Sequence, residues 1–132
     1  MGVAENIETV RRFYAAGPAD DDSLRGPLAS PDIIWHAPGA NRVSGTYRGA
    51  GEVFVEMAAR MQPLDLWLID VVDVLGNADL VIGTVHLRAR RGSHAVDTPG
   101  GHVFRLDESA TIVEAWGFVR DQAALDALFD AT

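Results

Sequence analysis

The sequence predicts one α+β domain in which helices precede a meander of long antiparallel strands. Three observations lead to this prediction. Apolar residues recur at helical spacing up to about residue 61, they alternate with polar residues from residue 64 onward, and a chain of 132 residues is long enough to bury a single core. No repeat, linker or low-complexity segment divides the chain, so residues 1–132 are expected to form a single domain.

The N-terminal part of the chain predicts three helices and a strand. The first helix is indicated by apolar residues at intervals of four, three and four, namely Val3, Ile7, Val10 and Tyr14. Gly17 followed by Pro18 should end it. The acidic residues 20–22 and the N-cap candidate Ser23 predict a short second helix. A strand over "PDIIWHAP" and an extended return through "GTYRG" precede the third helix, expected over residues 49–61.

The C-terminal half predicts four long strands and a closing helix. Apolar and polar residues alternate through "LDLWLIDVVDVLG", "DLVIGTVHLRARRG", "HAVDTPGGHVFRLD" and "ESATIVEAWGFVR". Within the third of these strands, residues 99–101 read Pro-Gly-Gly and should produce a bulge or kink. Asp121 can cap the closing helix, whose apolar side would be Ala124, Leu125, Leu128 and Phe129.

Composition narrows the possible functions. The formal charge is −8, all positive side chains are arginine, and no basic stripe is present, so nucleic acid is an unlikely partner by charge. The absence of cysteine and lysine excludes thiol and Schiff-base chemistry. No run of eighteen apolar residues and no secretory signal is found, so we expect a cytoplasmic protein without a membrane partner. The lysine-free, Ala- and Arg-rich composition suggests a GC-rich bacterial genome.

The order of these motifs resembles a known family. The segments "VRRFYAA", "DIIWHAPG", "SGTYRGAGEVF" and "HVFRLDESATIVEAW" are similar to SnoaL-like members of the nuclear transport factor 2-like (NTF2-like) superfamily, which includes ketosteroid isomerases, limonene epoxide hydrolases and polyketide cyclases. The resemblance covers nearly the whole chain. It implies a cone-shaped α+β barrel in which a curved antiparallel sheet wraps three N-terminal helices and a short C-terminal helix follows. It also implies an apolar pocket and a homodimer through the outer face of the sheet.

The resemblance assigns candidate catalytic positions. The proton-accepting aspartate of ketosteroid isomerases corresponds to His36, and their second, protonated aspartate corresponds to His102. Their oxyanion tyrosine falls on Phe13, with Tyr14 one residue further. All three identities therefore differ, which argues against a steroid isomerase. Asp97 is the candidate for the acidic base of SnoaL-type cyclases, while the Asp-Arg-Asp arrangement of the epoxide hydrolases is not found.

Strand alternation adds candidate binding residues. In "IGTVHLR", Ile82, Thr84, His86 and Arg88 share one face. Matching the strand ends to the isomerases directs this face toward the pocket, so that three histidines would converge there and Arg88 would lie near its mouth as an anion clamp. The expected catalytic residues are His36, His102, Tyr14 and Asp97. The expected substrate-binding residues are His86, Arg88, Thr84, Trp35, Phe104 and Trp116.

Other roles for these side chains remain open. His36, His86 and His102 could be satisfied structural histidines, and Trp35 and Trp116 could serve packing. The face that Trp116 shares with Glu114 is not decided by the sequence. Three converging imidazoles could bind zinc, but no pair has the helical spacing of zinc ligands, so no metal and no cofactor is expected.

Three classes of function fit these observations. The first is an isomerase or cyclase that removes a proton next to a carbonyl of a hydrophobic, polyketide- or steroid-like substrate, with His36 as the candidate base. The second is a protein that binds a small hydrophobic molecule without converting it, and the third is a dimeric accessory protein. Epoxide ring opening is a further alternative.

Overall fold

The computed structural model describes residues 2–16 and 26–130, which form three helices and six strands. The helices are α1 (Val3–Ala15), α2 (Met57–Arg60), which continues a π-helical segment (Glu52–Glu56), and α3 (Gln122–Asp130). The strands are β1 (Ala29–Ala37), β2 (Gly45–Arg48), β3 (Leu66–Gly76), β4 (Leu80–Arg91), β5 (His94–Leu106) and β6 (Ile112–Val119). A 3-10 turn, Gly26–Leu28, leads into β1.

All six strands belong to one sheet in the order β2-β1-β6-β5-β4-β3. Strands β3 to β6 follow one another as an antiparallel meander, and β2 is antiparallel to β1. The pairing of β1 with β6 is parallel, so the sheet is mixed. Helices packed on one curved sheet, with a helix after the last strand, confirm the predicted α+β architecture, but the expected purely antiparallel sheet is corrected to a mixed one.

The core occupies the sheet face that the helices cover, called the inner face below. At one end of the sheet, Val10 and Phe13 of α1 pack with Ile33 and Phe104. At the other end, Leu125, Leu128 and Phe129 of α3 pack with Leu87, Ala89 and Val96. These two clusters leave a space between them on the same face of the sheet, and the candidate site lies there.

Several element predictions are confirmed, and one needs correction. Asp121 caps α3, because its Oδ1 accepts from the Ala124 amide at 3.2 Å. The register of β5 runs unbroken with β4 through residues 99–101 and with β6 from Gly100, so the predicted bulge is not there. Register shifts lie instead between Val71 and Asp73 of β3, between Arg105 and Leu106 of β5, and between Ala29 and Ile34 of β1. The predicted helix end at Gly17 and the second helix at Ser23 lie outside the described residues. Among the described helices, none is long and apolar enough to cross a bilayer.

Candidate functional site

A cavity of about 540 Å³ lies between the inner face of the sheet and the three helices. This volume is typical of small-molecule sites. Its walls are mostly aromatic and aliphatic, and none of the described residues that line it carries a formal charge at neutral pH. The polar side chains in this lining are Tyr14, Asn41 and His102, together with the indoles of Trp35 and Trp67. The cavity therefore favours an uncharged, largely apolar ligand.

Asn41 is committed to holding the loop between β1 and β2. Its Nδ2 donates to Asp126 Oδ1 of α3 at 2.6 Å, and its Oδ1 accepts from the amides of Val43 and Ser44. Burial raises the pKa of Asp126, but hydrogen bonds from Asn41, Gln122 and the Ala40 amide outweigh burial and lower it. Asn41 thus shapes the cavity wall, and its amide oxygen and one of its two N–H groups are used within the protein.

His102 and Tyr14 form the polar centre of the cavity. Tyr14 extends from α1 and His102 from β5, and the Tyr14 hydroxyl lies 2.8 Å from His102 Nδ1. Aromatic rings surround the pair, with Trp35 edge-on to the imidazole at 5.5 Å and Phe104 at 5.6 Å. Burial among these rings lowers the pKa of His102 to about 4 and raises the pKa of Tyr14. Both side chains are therefore neutral at physiological pH.

We assign the position of the imidazole proton from the chemistry of the two groups. A phenolic O–H is more acidic than a neutral imidazole N–H, so we assign Tyr14 as the donor and Nδ1 as the acceptor of the 2.8 Å hydrogen bond. A neutral imidazole carries one proton, which is then on Nε2. Within the described part of the chain, Nε2 has no hydrogen-bond partner, and His102 lines the cavity. The imidazole thus presents one N–H donor to a ligand in the cavity.

His36 lies on the other side of the sheet, and the expectation that it faces the cavity is wrong. Its Nε2 is 2.6 Å from Glu114 Oε2, its Nδ1 is 3.2 Å from Thr46 Oγ1, and its ring stacks on Trp116 at 5.2 Å. The reason is strand alternation, since its neighbours Trp35 and Ala37 point inward and line the cavity. Trp116 and Glu114 therefore share the outer face with His36, which answers the question left open by the sequence.

Glu114 links this outer cluster to β5. Its Oε1 accepts from Arg105 at 2.9 Å while Oε2 pairs with His36. The hydrogen bond from His36 lowers the pKa of Glu114, burial opposes this, and Arg105 adds to the lowering. The cluster is a satisfied ion-pair network on the sheet surface, away from the cavity.

The expected inward face of β4 is also wrong. Gly83 is the cross-strand partner of His102, so it shares the inner face with Val85 and Leu87. Thr84, His86 and Arg88 consequently point outward. His86 pairs with Asp97, and Arg88 donates to Asp70 at 2.9 Å. Asp97 therefore lies outside the cavity too.

The predicted aromatic residues divide between the two faces. Trp35 lines the cavity, and Phe104 is fully buried behind it, edge-on to Tyr14 at 5.6 Å. Of the ten candidates, the structure brings together His102, Tyr14, Trp35 and Phe104. The outer face carries His36, Asp97, His86, Arg88, Thr84 and Trp116. The three histidines thus do not converge, and the described residues contain no group of three or more His, Asp or Glu that could hold a metal ion.

Sequence reasoning missed two glycines beside His102. Gly83 and Gly117 are its cross-strand partners on β4 and β6. A single glycine inside a strand signals close approach of another group, so both positions could have been found from the sequence. The apolar lining from Met57, Met61 and Trp67 was also missed, because cavity walls and packed cores have the same hydrophobic pattern.

Comparison with known proteins supports the fold. No protein-family model matches the chain. An uncharacterized protein of Mycobacterium tuberculosis is 28% identical over 113 residues, covering 78% of this chain and 86% of that protein. The structure of Bal32a, from a soil-derived mobile gene cassette, superposes with a TM-score of 0.87 at 26% identity, covering 96% of this chain and 98% of Bal32a.

More distant structures share the architecture. A putative SnoaL-like polyketide cyclase from Jannaschia sp. superposes with a TM-score of 0.79 at 18% identity, covering 98% of this chain and 94% of the cyclase. TerC, co-crystallized with polyporic acid, superposes with a TM-score of 0.80 at 16% identity, covering 96% of this chain and 99% of TerC. The chain therefore has the NTF2-like fold of SnoaL-like proteins, and at the level of the fold the resemblance is confirmed.

Proposed function

We propose that the protein binds an uncharged, hydrophobic small molecule through a carbonyl oxygen and promotes proton transfer at the carbon next to that carbonyl. Isomerisation and ring closure are reactions of this class. The observation that carries the proposal is the neutral Tyr14–His102 pair at the centre of an apolar cavity. TerC, a protein of the same fold, was co-crystallized with a small organic molecule, polyporic acid. That precedent supports an organic ligand in this cavity.

His102 acts in this proposal as a hydrogen-bond donor. With a pKa of about 4, it is a weak proton acceptor, since holding a proton at pH 7 costs about 4 kcal/mol, three pH units at about 1.36 kcal/mol each. Its Nε2–H, fixed by the Tyr14 hydrogen bond, instead stabilises the negative charge that grows on the carbonyl oxygen as an enolate forms. A donor of this kind, in a dry site, is worth about 10²–10³-fold in rate.

The proton that leaves the carbon needs an acceptor. Among the described lining residues, only Tyr14 and His102 can exchange protons, and neither offers a free basic atom, because Tyr14 is neutral and the one unprotonated nitrogen of His102 accepts from it. A water molecule therefore takes the proton from the carbon and returns one when the enolate collapses. His36 and Asp97, on the outer face, have no access to a ligand in the cavity. Epoxide ring opening is not proposed, because none of the described lining residues is a carboxylate.

Deuterium exchange tests the proposal directly. 1-Tetralone, an uncharged bicyclic ketone, carries exchangeable hydrogens next to its carbonyl, and their loss in D₂O is followed by proton NMR. We expect the protein to accelerate exchange above the buffer rate and the variant His102→Phe to lose most of that acceleration. Exchange at the same rate in the variant and the wild type would refute the role of His102.

The second candidate function is binding without turnover. The observation that favours it is the lack of any carboxylate in the described cavity lining, which leaves no strong base beside the ligand. Binding of 1-tetralone to the wild type that is abolished in His102→Phe, together with exchange at the buffer rate, would identify a binding protein.

We also propose that the protein forms a homodimer through the outer face of the sheet. Leu66 and Leu75 of β3 are exposed there, beside the outward-facing residues of β4. The same face carries both charge signs in the His86–Asp97 and Arg88–Asp70 pairs. A face with apolar side chains and mixed charge suits a self-complementary contact.

A further inference from the structure

The two neighbours of His102 across the sheet both lack side chains. Gly83 on β4 and Gly117 on β6 pair directly with His102, and all three residues face inward. Such partners stand about 5 Å apart in a sheet, where side chains normally fill the space between them. No side chain of a cross-strand partner therefore covers either edge of the imidazole, and the two edges have different neighbours.

The space at Gly83 is filled by Tyr14. A Cβ atom at position 83 would lie 2.2 Å from the Tyr14 hydroxyl oxygen and 2.5 Å from Cε2 of its ring. The phenol tip thus occupies the place of the missing side chain, next to the Nδ1 edge of His102. Gly83 is the reason that Tyr14 can reach Nδ1.

The space at Gly117 is not filled in the same way. A Cβ atom there would lie 3.3 Å from Pro38 Cδ, a tight contact, and 3.6 Å from His102 Cδ2, an ordinary one, so the space holds about one carbon atom beside the ring. Cδ2 is bonded to Nε2, so this is the edge of the ring that carries the free N–H. Gly117, Pro38 and His102 all line the cavity. We call the space that they bound the notch.

We propose that the notch determines which ligands reach His102, with Gly117 as the specificity-determining residue. The notch admits the edge of a cyclic ligand that bears an unhindered, uncharged carbonyl oxygen, and it places that oxygen against Nε2–H. This inference rests on the proposed function. A branched group beside the carbonyl collides with Pro38 or with the backbone at Gly117. A carboxylate is disfavoured because the described lining offers no cation.

Two probes of nearly equal shape separate the hydrogen bond from apolar burial. 1-Tetralone carries the carbonyl oxygen, and tetralin is the same bicyclic skeleton without it. NMR titration gives a dissociation constant for each probe with the wild type and with Gly117→Ala. Gly51→Ala is the control, since it adds the same methyl group where nothing lies within 4 Å.

The wild type should prefer 1-tetralone over tetralin by roughly three- to tenfold, the effect of one hydrogen bond. In Gly117→Ala this preference should disappear while tetralin binds as before, which also shows that the variant is folded. Gly51→Ala should keep the preference. If Gly117→Ala keeps the preference for 1-tetralone, or loses affinity for both probes equally, the role of the notch is overturned. The proposed function is not affected by either result. No preference in the wild type would refute the proposed function and this inference with it.

Discussion

At the scale of single residues, the site depends on how alternation assigns each side chain to a face. The family resemblance named His102 and Tyr14, and the structure places both in the cavity lining, whereas His36 and His86, also expected there, lie on the outer face. Each misplacement is a shift of one residue in strand parity, which exchanges the inner and outer faces. Parity could not be predicted because both faces carry mixed polarity, with His102 on the inner face and Trp116 on the outer.

The buried imidazole should make stability depend on pH. The pKa of His102 is lowered from 6.5 to about 4. His102 therefore becomes protonated below about pH 6.5 in the unfolded chain but only below about pH 4 in the folded chain. The free energy of unfolding should therefore fall as pH decreases through this window. The contribution of His102 is about 3 kcal/mol at most, at about 1.36 kcal/mol per unit. Urea denaturation at several pH values measures it.

His102→Phe provides the control for this dependence, because it removes the titrating group and keeps a ring of similar size. The difference in unfolding free energy between wild type and variant should shrink or change sign as pH falls from 6.5 to 4. If the unfolding free energies of wild type and variant change with pH in parallel from pH 6.5 to 4, His102 is not a buried neutral imidazole.

Gly83→Ala should separate Tyr14 from His102. The added methyl would overlap the Tyr14 hydroxyl, so the phenol must move and the hydrogen bond to Nδ1 must break. We expect a loss of roughly 1–3 kcal/mol in unfolding free energy and a changed ¹⁵N chemical shift of Nδ1. Gly51→Ala, at φ −62° in open space, should be neutral or slightly stabilising. An unchanged Nδ1 shift in Gly83→Ala would show that Tyr14 does not depend on the glycine.

At the scale of elements, the sequence predicted most of the helices and strands because their periods are clear. The stripe of α1 and the alternation of β3 to β6 are both found in the structure. The π-helical segment Glu52–Glu56 and the bulge at Val72 were not predicted. Both depend on how tertiary packing distorts a regular element, and a periodic pattern does not record such distortions.

The contact between α3 and the β1–β2 loop should stabilise the wall of the cavity. Asp126 accepts from Asn41 Nδ2 and, at 3.1 Å, from the Ala40 amide. Asp126→Ala leaves these donors without a partner, and we expect a loss of roughly 1–3 kcal/mol in unfolding free energy, with faster amide hydrogen exchange at Ala40. Asp130→Ala, an exposed change on the same helix, should shift stability by under about 0.5 kcal/mol. Equal effects of the two variants would contradict this role.

At the scale of the whole molecule, the resemblance to SnoaL-like proteins predicted the architecture correctly, and the fold by itself does not determine the chemistry. The cyclase and epoxide-hydrolase-like structures that share this fold are 18% and 16% identical to the chain, so the function has to be argued from the residues in the cavity. The oligomeric state likewise depends on the residues of the outer face and not on those that line the cavity.

The proposed homodimer makes a separate prediction. Leu75 is 48% exposed on the outer face, whereas Val55 is 62% exposed on the π-helical segment. Leu75→Asp should convert dimers to monomers in sedimentation velocity because it places a charge in the contact, and Val55→Asp should not. A wild type that sediments as a monomer would overturn the dimer proposal without affecting the cavity.

The central claim is that His102 presents a neutral Nε2–H donor to the cavity. The most direct measurement is a long-range ¹H–¹⁵N NMR spectrum of the histidine side chains, recorded from pH 8 to pH 5. The account predicts that His102 keeps an unprotonated Nδ1 and a protonated Nε2 throughout, and that Nε2 shifts when 1-tetralone is added. An imidazolium spectrum at pH 6, or a proton on Nδ1, would contradict it.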